Sequence, residues 1–259
     1  MISLFRRKPK APAVKKRPTS KAGGETVALA IDGEPVSVKL RLNPRARRVI
    51  VKVDPGTGAV TVVAPTRAAL SHALDFARGQ KEWIARQRAR VPQPVKLAAG
   101  AKLPFRGEAH EIRHGGGKGA APVLRDASAR ILWVHGRPEF AQRRLTDFLK
   151  REVRSLIENR ALQYAAQLGV TPARIALRDT ASRWGSCSAA RAISFSWRLI
   201  FAPDVVRDYV VAHEVAHLKE MNHGPRFWTL VEKLHPQYRE AQDWLLLHGR
   251  SLQRYAPRA

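Results

Sequence analysis

DYVVAHEVAHLKEMNHGPRFW, residues 208–228, is the stretch on which the reading of this sequence turns. At 3.6 residues per turn, His213 and His217 project from one face of a helix, one turn apart, with Glu214 beside them. Two imidazoles so placed can chelate one metal ion, and the adjacent carboxylate can reach a water on that ion. Zn²⁺ lowers the pKa of such a water toward about 7, which suits attack on a carbonyl at neutral pH. The preceding residues, DVVRDYVVA (204–212), are strongly apolar, so the helix is expected to be buried. Val206 and Val210 fall on the histidine side as an apolar wall. Two buried histidines and a glutamate are costly without a metal, and a metal removes the problem.

A catalytic zinc takes a third protein ligand and keeps one position open. His223 lies ten residues after His213 and six after His217, the ligand spacing of HExxHxxGxxH. Two departures matter: Glu220 stands where that pattern has its turn glycine, and no methionine follows Met221. Asn222 and Gly224 flank the ligand and are expected to supply a left-handed turn instead. The competing third ligands are carboxylates: Glu220, Glu232, Glu240 and Asp243. His235, next to Pro236, reads as a capping or surface histidine.

Outward from this stretch, Pro203 opens the motif helix, which runs to about Lys219, and Pro225 opens another to about Leu234. The break at His235-Pro236 precedes a last helix over roughly 238–248. Upstream, Pro138 starts a long helical pattern to about Leu168, with Phe140, Leu145, Phe148, Leu149, Val153, Leu156, Ile157, Ala161 and Ala165 recurring at threes and fours, and Gly169 ends it. A short strand near 174–178, the loop TASRWGSCSAA (180–190) and a strand over 192–200 lie between. The region before residue 138 alternates like β structure. VALAI (27–31) and VSVKLRL (36–42) flank Asp32-Gly33, a hairpin signal, and RRVIVKV (47–53) and AVTVVA (59–64) flank DPGTG. Thr66 caps a helix running to about Arg90, ended by Pro92 and Pro94. Further strands fill 95–135 around a flexible GGGKGAA loop (115–121).

The fold class is therefore α+β. A β-rich N-terminal part spans 26–137, a helical part carrying HExxH spans 138–250, and 251–259 forms a tail. Residues 1–25 hold eight basic side chains and one acid among Pro and Gly, and read as a disordered arm.

Composition bounds the rest. The 259 residues carry 47 Lys plus Arg against 21 Asp plus Glu, a net +26, of which +7 sits on residues 1–25 and +19 on the remainder. No apolar run approaches the roughly 20 residues that span a bilayer, which excludes an integral membrane protein. Cys187 is the single cysteine, which excludes an intrachain disulfide or a four-cysteine zinc site and suits a cytoplasmic location. No apolar run follows the N-terminal arginines, which argues against a secretory signal peptide. The basic excess points to an anionic partner. With no helix-turn-helix, zinc finger or RRM signature, nucleic acid would be contacted non-specifically, through phosphates. Nothing in the sequence sets an oligomeric state.

RWGSCS (183–188), ISFSWRLIFAP (193–203) and residues 208–228 resemble the YgjP-like metal-dependent hydrolases. HExxH followed by Asn-His-Gly and Phe-Trp is also similar to the SprT-like zinc metalloproteases. The resemblance runs from near Arg41 to about residue 250. It implies a zincin-like metallopeptidase domain with Zn²⁺ on His213, His217 and His223, Glu214 as catalytic base, and peptides or proteins as substrates.

The RWGSC segment also has a reading of its own. Zincins place an edge strand above the metal, where an extended peptide adds by backbone pairing; strand 192–200 is expected to serve, with the preceding loop closing one end of the cleft. Arg183 either stabilises an oxyanion beside the metal or makes a structural salt bridge. Trp184 either walls a substrate pocket or packs in the core. Cys187 reads as a small buried residue and not as a nucleophile, and Phe227 and Trp228 pack the helix after the ligand turn. Two functional classes follow: a zinc hydrolase cutting amides, and a nucleic-acid-associated protein with a structural zinc. Glu214 favours the first, since a structural site needs no base. A DNA-associated protease of the SprT-like kind would combine them.

Overall fold

Asp32 and Gly33 both take left-handed backbone, at φ 51° and 81°, as a two-residue Asp-Gly hairpin turn requires. They fold β1 (Thr26–Ile31) back on β2 (Glu34–Leu42), as the sequence predicts. The structure is a computed structural model describing residues 25–115, 121–180 and 183–255. The basic arm to residue 24, residues 116–120 of the glycine loop, Ala181, Ser182 and the tail from 256 lie outside it.

β3 (Ile50–Val53) and β4 (Val60–Ala64) complete the first sheet, in the order β1-β2-β4-β3. β4 runs parallel to β2 and antiparallel to β3. Alternation along β2 buries Val36, Val38 and Leu40 and exposes Ser37, Lys39 and Arg41. The buried face packs on α1 (Leu70–Gly79) and α2 (Lys81–Ala89) through Ala73, Ala77 and Ile84. The sequence predicts one helix capped by Thr66; the chain makes two. Helical structure begins only at Leu70, without a side-chain cap, and breaks at Gln80 (φ −99°, ψ 15°), beside a glycine that holds helix poorly. Ala69, Leu70, Ala73, Leu74, Ala77, Trp83 and Ile84 face this core.

The second sheet, β5-β6-β8-β7, comprises β5 (Lys102–Phe105), β6 (Glu108–Gly115), β7 (Val123–Asp126) and β8 (Ile131–His135). Its Leu103, Phe105, Ile112 and Leu132 join a different core, that of α3 (Ala141–Gln167), whose Leu145, Leu149, Val153, Ile157 and Ala161 are fully buried. A short 3₁₀ turn from Pro138 leads into α3, and Gly169 (φ 62°) ends it as expected.

β9 (Arg174–Arg178), β10 (Gly185–Cys187) and β11 (Ala192–Ser196) form a third sheet in the order β10-β11-β9. This corrects the expectation for 192–200. β11 stops at Ser196, whose Oγ accepts from the Arg198 N–H to start a 3₁₀ turn (Trp197–Phe201). Strand pairs on both flanks make β11 central, so the edge strand is β10, inside RWGSC itself.

α4 (Asp204–Ala216), α5 (Pro225–Leu234) and α6 (Tyr238–Leu252) complete the chain, the last a turn longer than predicted. The start of α4 is pinned from the second sheet. Arg106 and Gly107, both left-handed, form the β5–β6 turn, and a Cβ on Gly107 would come within 2.8 Å of Pro203 Cα. The Arg106 N–H donates to the Ile200 carbonyl at 2.8 Å, and its guanidinium pairs with Asp204 at the positive end of α4. Arg207 bridges Asp204 and Asp208, and Asp208 pairs with Arg160 of α3 at 2.8 Å. The architecture is α+β, strand-rich first and helical last. Among the described residues no helix is long and apolar enough to cross a membrane.

Candidate active site

α4 is buried along nearly its whole length, as its apolar sequence predicts, and carries His213 and Glu214 in its last turn, with His217 capping its C-terminus. The helix does not continue to Lys219. Backbone bonds from Leu218 and Lys219 reach only three residues back, to Val215 and Ala216, and the chain tightens and turns off. The expected left-handed turn at Asn222 and Gly224 does not form: neither is among the described residues with positive φ, and Gly224 is extended (φ −80°, ψ −179°). Backbone bonds of three and then four residues, from Leu218, Lys219 and Glu220, turn the chain without one, and Glu220, which is not left-handed, fits where the HExxHxxGxxH pattern has glycine.

The reversal brings His223 back over α4. His213 Nε2 and His223 Nε2 lie 3.1 Å apart, and one ligand nitrogen from each of His213, His217 and His223 falls within 4.8 Å of the others. Two nitrogens on one tetrahedral zinc would lie about 3.3 Å apart, given Zn–N bonds of 2.0–2.1 Å. Among the described residues this is the one such group, and Glu220, Glu232, Glu240 and Asp243 do not join it. Glu220 contributes its backbone instead: His217 Nδ1 donates to the Glu220 carbonyl at 3.0 Å, which fixes the tautomer and leaves Nε2 free to bind.

Phe227, from the first turn of α5, supports all three rings. It stacks on His217 at 4.5 Å and meets His213 and His223 edge-on at 4.9 and 4.8 Å. Fully buried, it forms an apolar floor under the imidazoles, beyond the helix packing expected of it. Burial, then the neighbouring His217 and His223, hold His213 down to about 4, and burial also lowers His217. Both imidazoles are therefore neutral near pH 7, with lone pairs to offer. Burial pushes the Glu214 carboxyl up to about 8, against the opposing charge of Arg183. His213 Nδ1 and Glu214 Oε2 are buried with no hydrogen-bond partner among the described residues. A cation and its waters would satisfy the carboxylate at least, so the donor set fits a metal.

The YgjP-like metallopeptidase domain matches residues 47–248. The chain belongs to the YgjP-like metallopeptidase family. As a member it is a metal-dependent peptidase, a hydrolase whose substrates are peptides. No curated protein matches the chain. Among solved structures, the crystal structure of the metallopeptidase zymogen of Pyrococcus abyssi abylysin is similar over 35% of this chain and 92% of its own. It is 23% identical, with a TM-score of 0.33.

In this YgjP-like domain two cavities meet at Glu214. One, of about 270 Å³, lies over the three histidines and is also lined by Arg183, Gly185, Ser186, Cys187 and Met221. The other, of about 200 Å³, is walled by Trp184, Tyr209, Val210 and Leu245. Arg183 lines both. Trp184 lines the smaller cavity and packs, partly buried, against the core beside Gly249 of α6. Val206 is buried in the core, leaving Val210 as the wall. Cys187 is half-buried at the larger cavity, not fully buried as expected, and burial raises its thiol pKa, as does Glu214, against reactivity. His235 is buried, not at the surface, though it does cap α5.

Two contributors escape the sequence reading. Tyr209 lies one turn before His213 on the same helical face, a spacing that could have flagged it. Gly185 carries no such signal. A Cβ there would lie 2.5 Å from both Cγ and Oε1 of Glu214, so only glycine lets β10 approach the carboxylate. Gly185→Ala should therefore keep the metal and lower kcat/KM by about 100-fold, the scale of a catalytic group misplaced by about 1 Å. Peptide hydrolysis and metal content measured together check this; activity within twofold of wild type would show that β10 does not position Glu214.

Proposed function

We propose that this peptidase uses Zn²⁺ held by His213, His217 and His223, with Glu214 as general base. The observation that carries the reading is the convergence of three imidazole nitrogens beside a buried carboxylate whose Oε2 has no hydrogen-bond partner among the described residues. Zn²⁺, when bound, supplies a Lewis acid that polarises a carbonyl and acidifies water.

The chain's own groups do the rest. The Trp184 carbonyl and the Ser188 N–H bond to β11, so by antiparallel alternation the N–H and C=O of Gly185 and Cys187 face the free edge of β10. An extended substrate pairs there as an added strand, which sets its scissile carbonyl over the histidines. A side chain next to the cleaved bond enters the cavity of Trp184, Tyr209, Val210 and Leu245. Glu214 takes the proton of the attacking water and delivers it to the departing amine. Arg183, close enough to act on Glu214 through its charge, offsets the negative charge that the carbonyl oxygen gains as its carbon becomes tetrahedral.

Metal removal tests the reading. Chelation to below a tenth of an equivalent of zinc should abolish hydrolysis of a casein or peptide-library substrate. One equivalent of Zn²⁺ should restore it and Mg²⁺ should not, because imidazoles favour the former. Hydrolysis that survives complete metal removal would refute the proposal.

A further inference from the structure

On the second face of the first sheet the outward positions of β1, β2 and β3 are exposed or half-buried, and Val63 of β4 is the buried one. Helices α1 and α2 take the side of Val38, Leu40, Val60 and Val62. Strand register places the other side's residues in rows. Thr26, Lys39, Thr61 and Lys52 form one row across β1, β2, β4 and β3, and Arg41, Val63 and Ile50 form the next across β2, β4 and β3. Lys39, Arg41 and Lys52 are exposed, and no acid stands at an outward position of these four strands. Glu34, at the start of β2, shares its parity with the buried Val36 and belongs to the covered side.

The loop from β2 to β3 adjoins the rim of this sheet. It leaves β2 one residue after Arg41, passes the end of β4, where Asn43 donates to the Ala64 carbonyl at 2.9 Å, and returns at Ile50. Along it Arg45, Arg47 and Arg48 are exposed. Among the described residues, none of these six cations is in an ion pair, a state they share with many other cations of the chain. Three exposed cations at outward strand positions, with three more on the adjoining loop, cost the fold repulsion that a polyanion would relieve.

We propose that this sheet face and its arginine loop bind nucleic acid through the phosphate backbone. Lys39 and Arg41 stand about 7 Å apart along β2, and Lys39 and Lys52 about 10 Å apart across two strand spacings, a grid that can meet several phosphates together. Ser37, Thr26 and Thr61 interleave hydroxyls suited to phosphate oxygens. The face has no aromatic residue, so no base stacks on it and binding is indifferent to sequence. It also lacks the exposed Trp, Phe or Leu with which a surface enters a lipid headgroup layer. Metal and cleft play no part, so the inference stands apart from the peptidase reading.

The test measures binding of the full-length protein to fluorescent 30-base-pair duplex DNA, matched duplex RNA and a 30-nucleotide thymidine strand, from 50 to 300 mM salt. Lys39→Gln, Arg41→Gln and Lys52→Gln together should weaken binding at least about tenfold and flatten the log–log salt slope by about 2 to 3, since each lost phosphate contact removes roughly 0.7–0.9. The charge-keeping set Lys39→Arg, Arg41→Lys and Lys52→Arg should bind like wild type, and peptide hydrolysis should be unchanged in both. Tighter binding to duplex DNA, duplex RNA or the single strand names the source of the phosphates. A glutamine variant with wild-type affinity and slope would overturn the proposal, as would loss seen only when Arg6, Arg7, Lys8 and Lys10 are neutralised. So would tenfold tighter binding to phosphatidylserine vesicles or polyglutamate, or no binding below 100 μM.

Discussion

Glu214→Gln keeps its zinc and loses hydrolysis by about 10²- to 10⁴-fold, the usual worth of a general base. Glutamine fills the same space against Gly185, where a carboxylate already sits too close for any Cβ, so the packing of β10 on α4 is preserved. What disappears is the ability to accept a proton. The loss should fall on kcat more than on KM, because in the proposed pose the substrate is held by the β10 edge and the side-chain cavity. Zinc by elemental analysis, melting temperature and steady-state kinetics on one peptide check the three parts. A glutamine variant with wild-type kcat would remove Glu214 from the role of base and leave the histidines with a different partner.

His213→Ala and His223→Ala each weaken zinc binding at least about 100-fold, since even a lost outer-shell partner weakens metal binding about 10- to 100-fold. The two should differ in what else they change. His213 is half-buried in α4 against Tyr209 and Phe227, so its truncation also loosens packing and lowers the melting temperature. His223 lies exposed on the reversing turn, so its truncation leaves the fold as stable as the metal-free wild type. Competition against a chromophoric chelator gives the affinities. If His223→Ala holds zinc as tightly as wild type, a fourth side chain supplies the ligand, and Glu220 at the turn is the first to substitute.

The histidine triad was legible because helical periodicity is rigid: HExxH on an apolar helix has one geometry, and a ten-residue interval leaves room for one reversal. The conformation of that reversal was not legible. Left-handed backbone at Asn222 or Gly224 is the locally easy solution, yet the capping His217 and the Glu220 carbonyl achieve the turn through side-chain bonding. The edge strand was misplaced for a related reason. ISFSWRLIF has the β-branched and aromatic content of a long strand, but Ser196 diverts it after five residues, and GSC is too short to show a period of two. Leu103 and Phe105 alternate just as Val38 and Leu40 do; only folding assigns one pair to the core of α3 and the other to that of α1 and α2.

That separation of cores bears on how the molecule can change over generations. Among the described residues the apolar underside of Lys39 and Arg41 belongs to a core cluster separate from that of α4, so selection can change that surface without perturbing the histidines. The second sheet has no such freedom. Through Arg106, Gly107 and Asp204 it braces the helix that carries the chemistry, and drift there is constrained by every bond the enzyme has to cut.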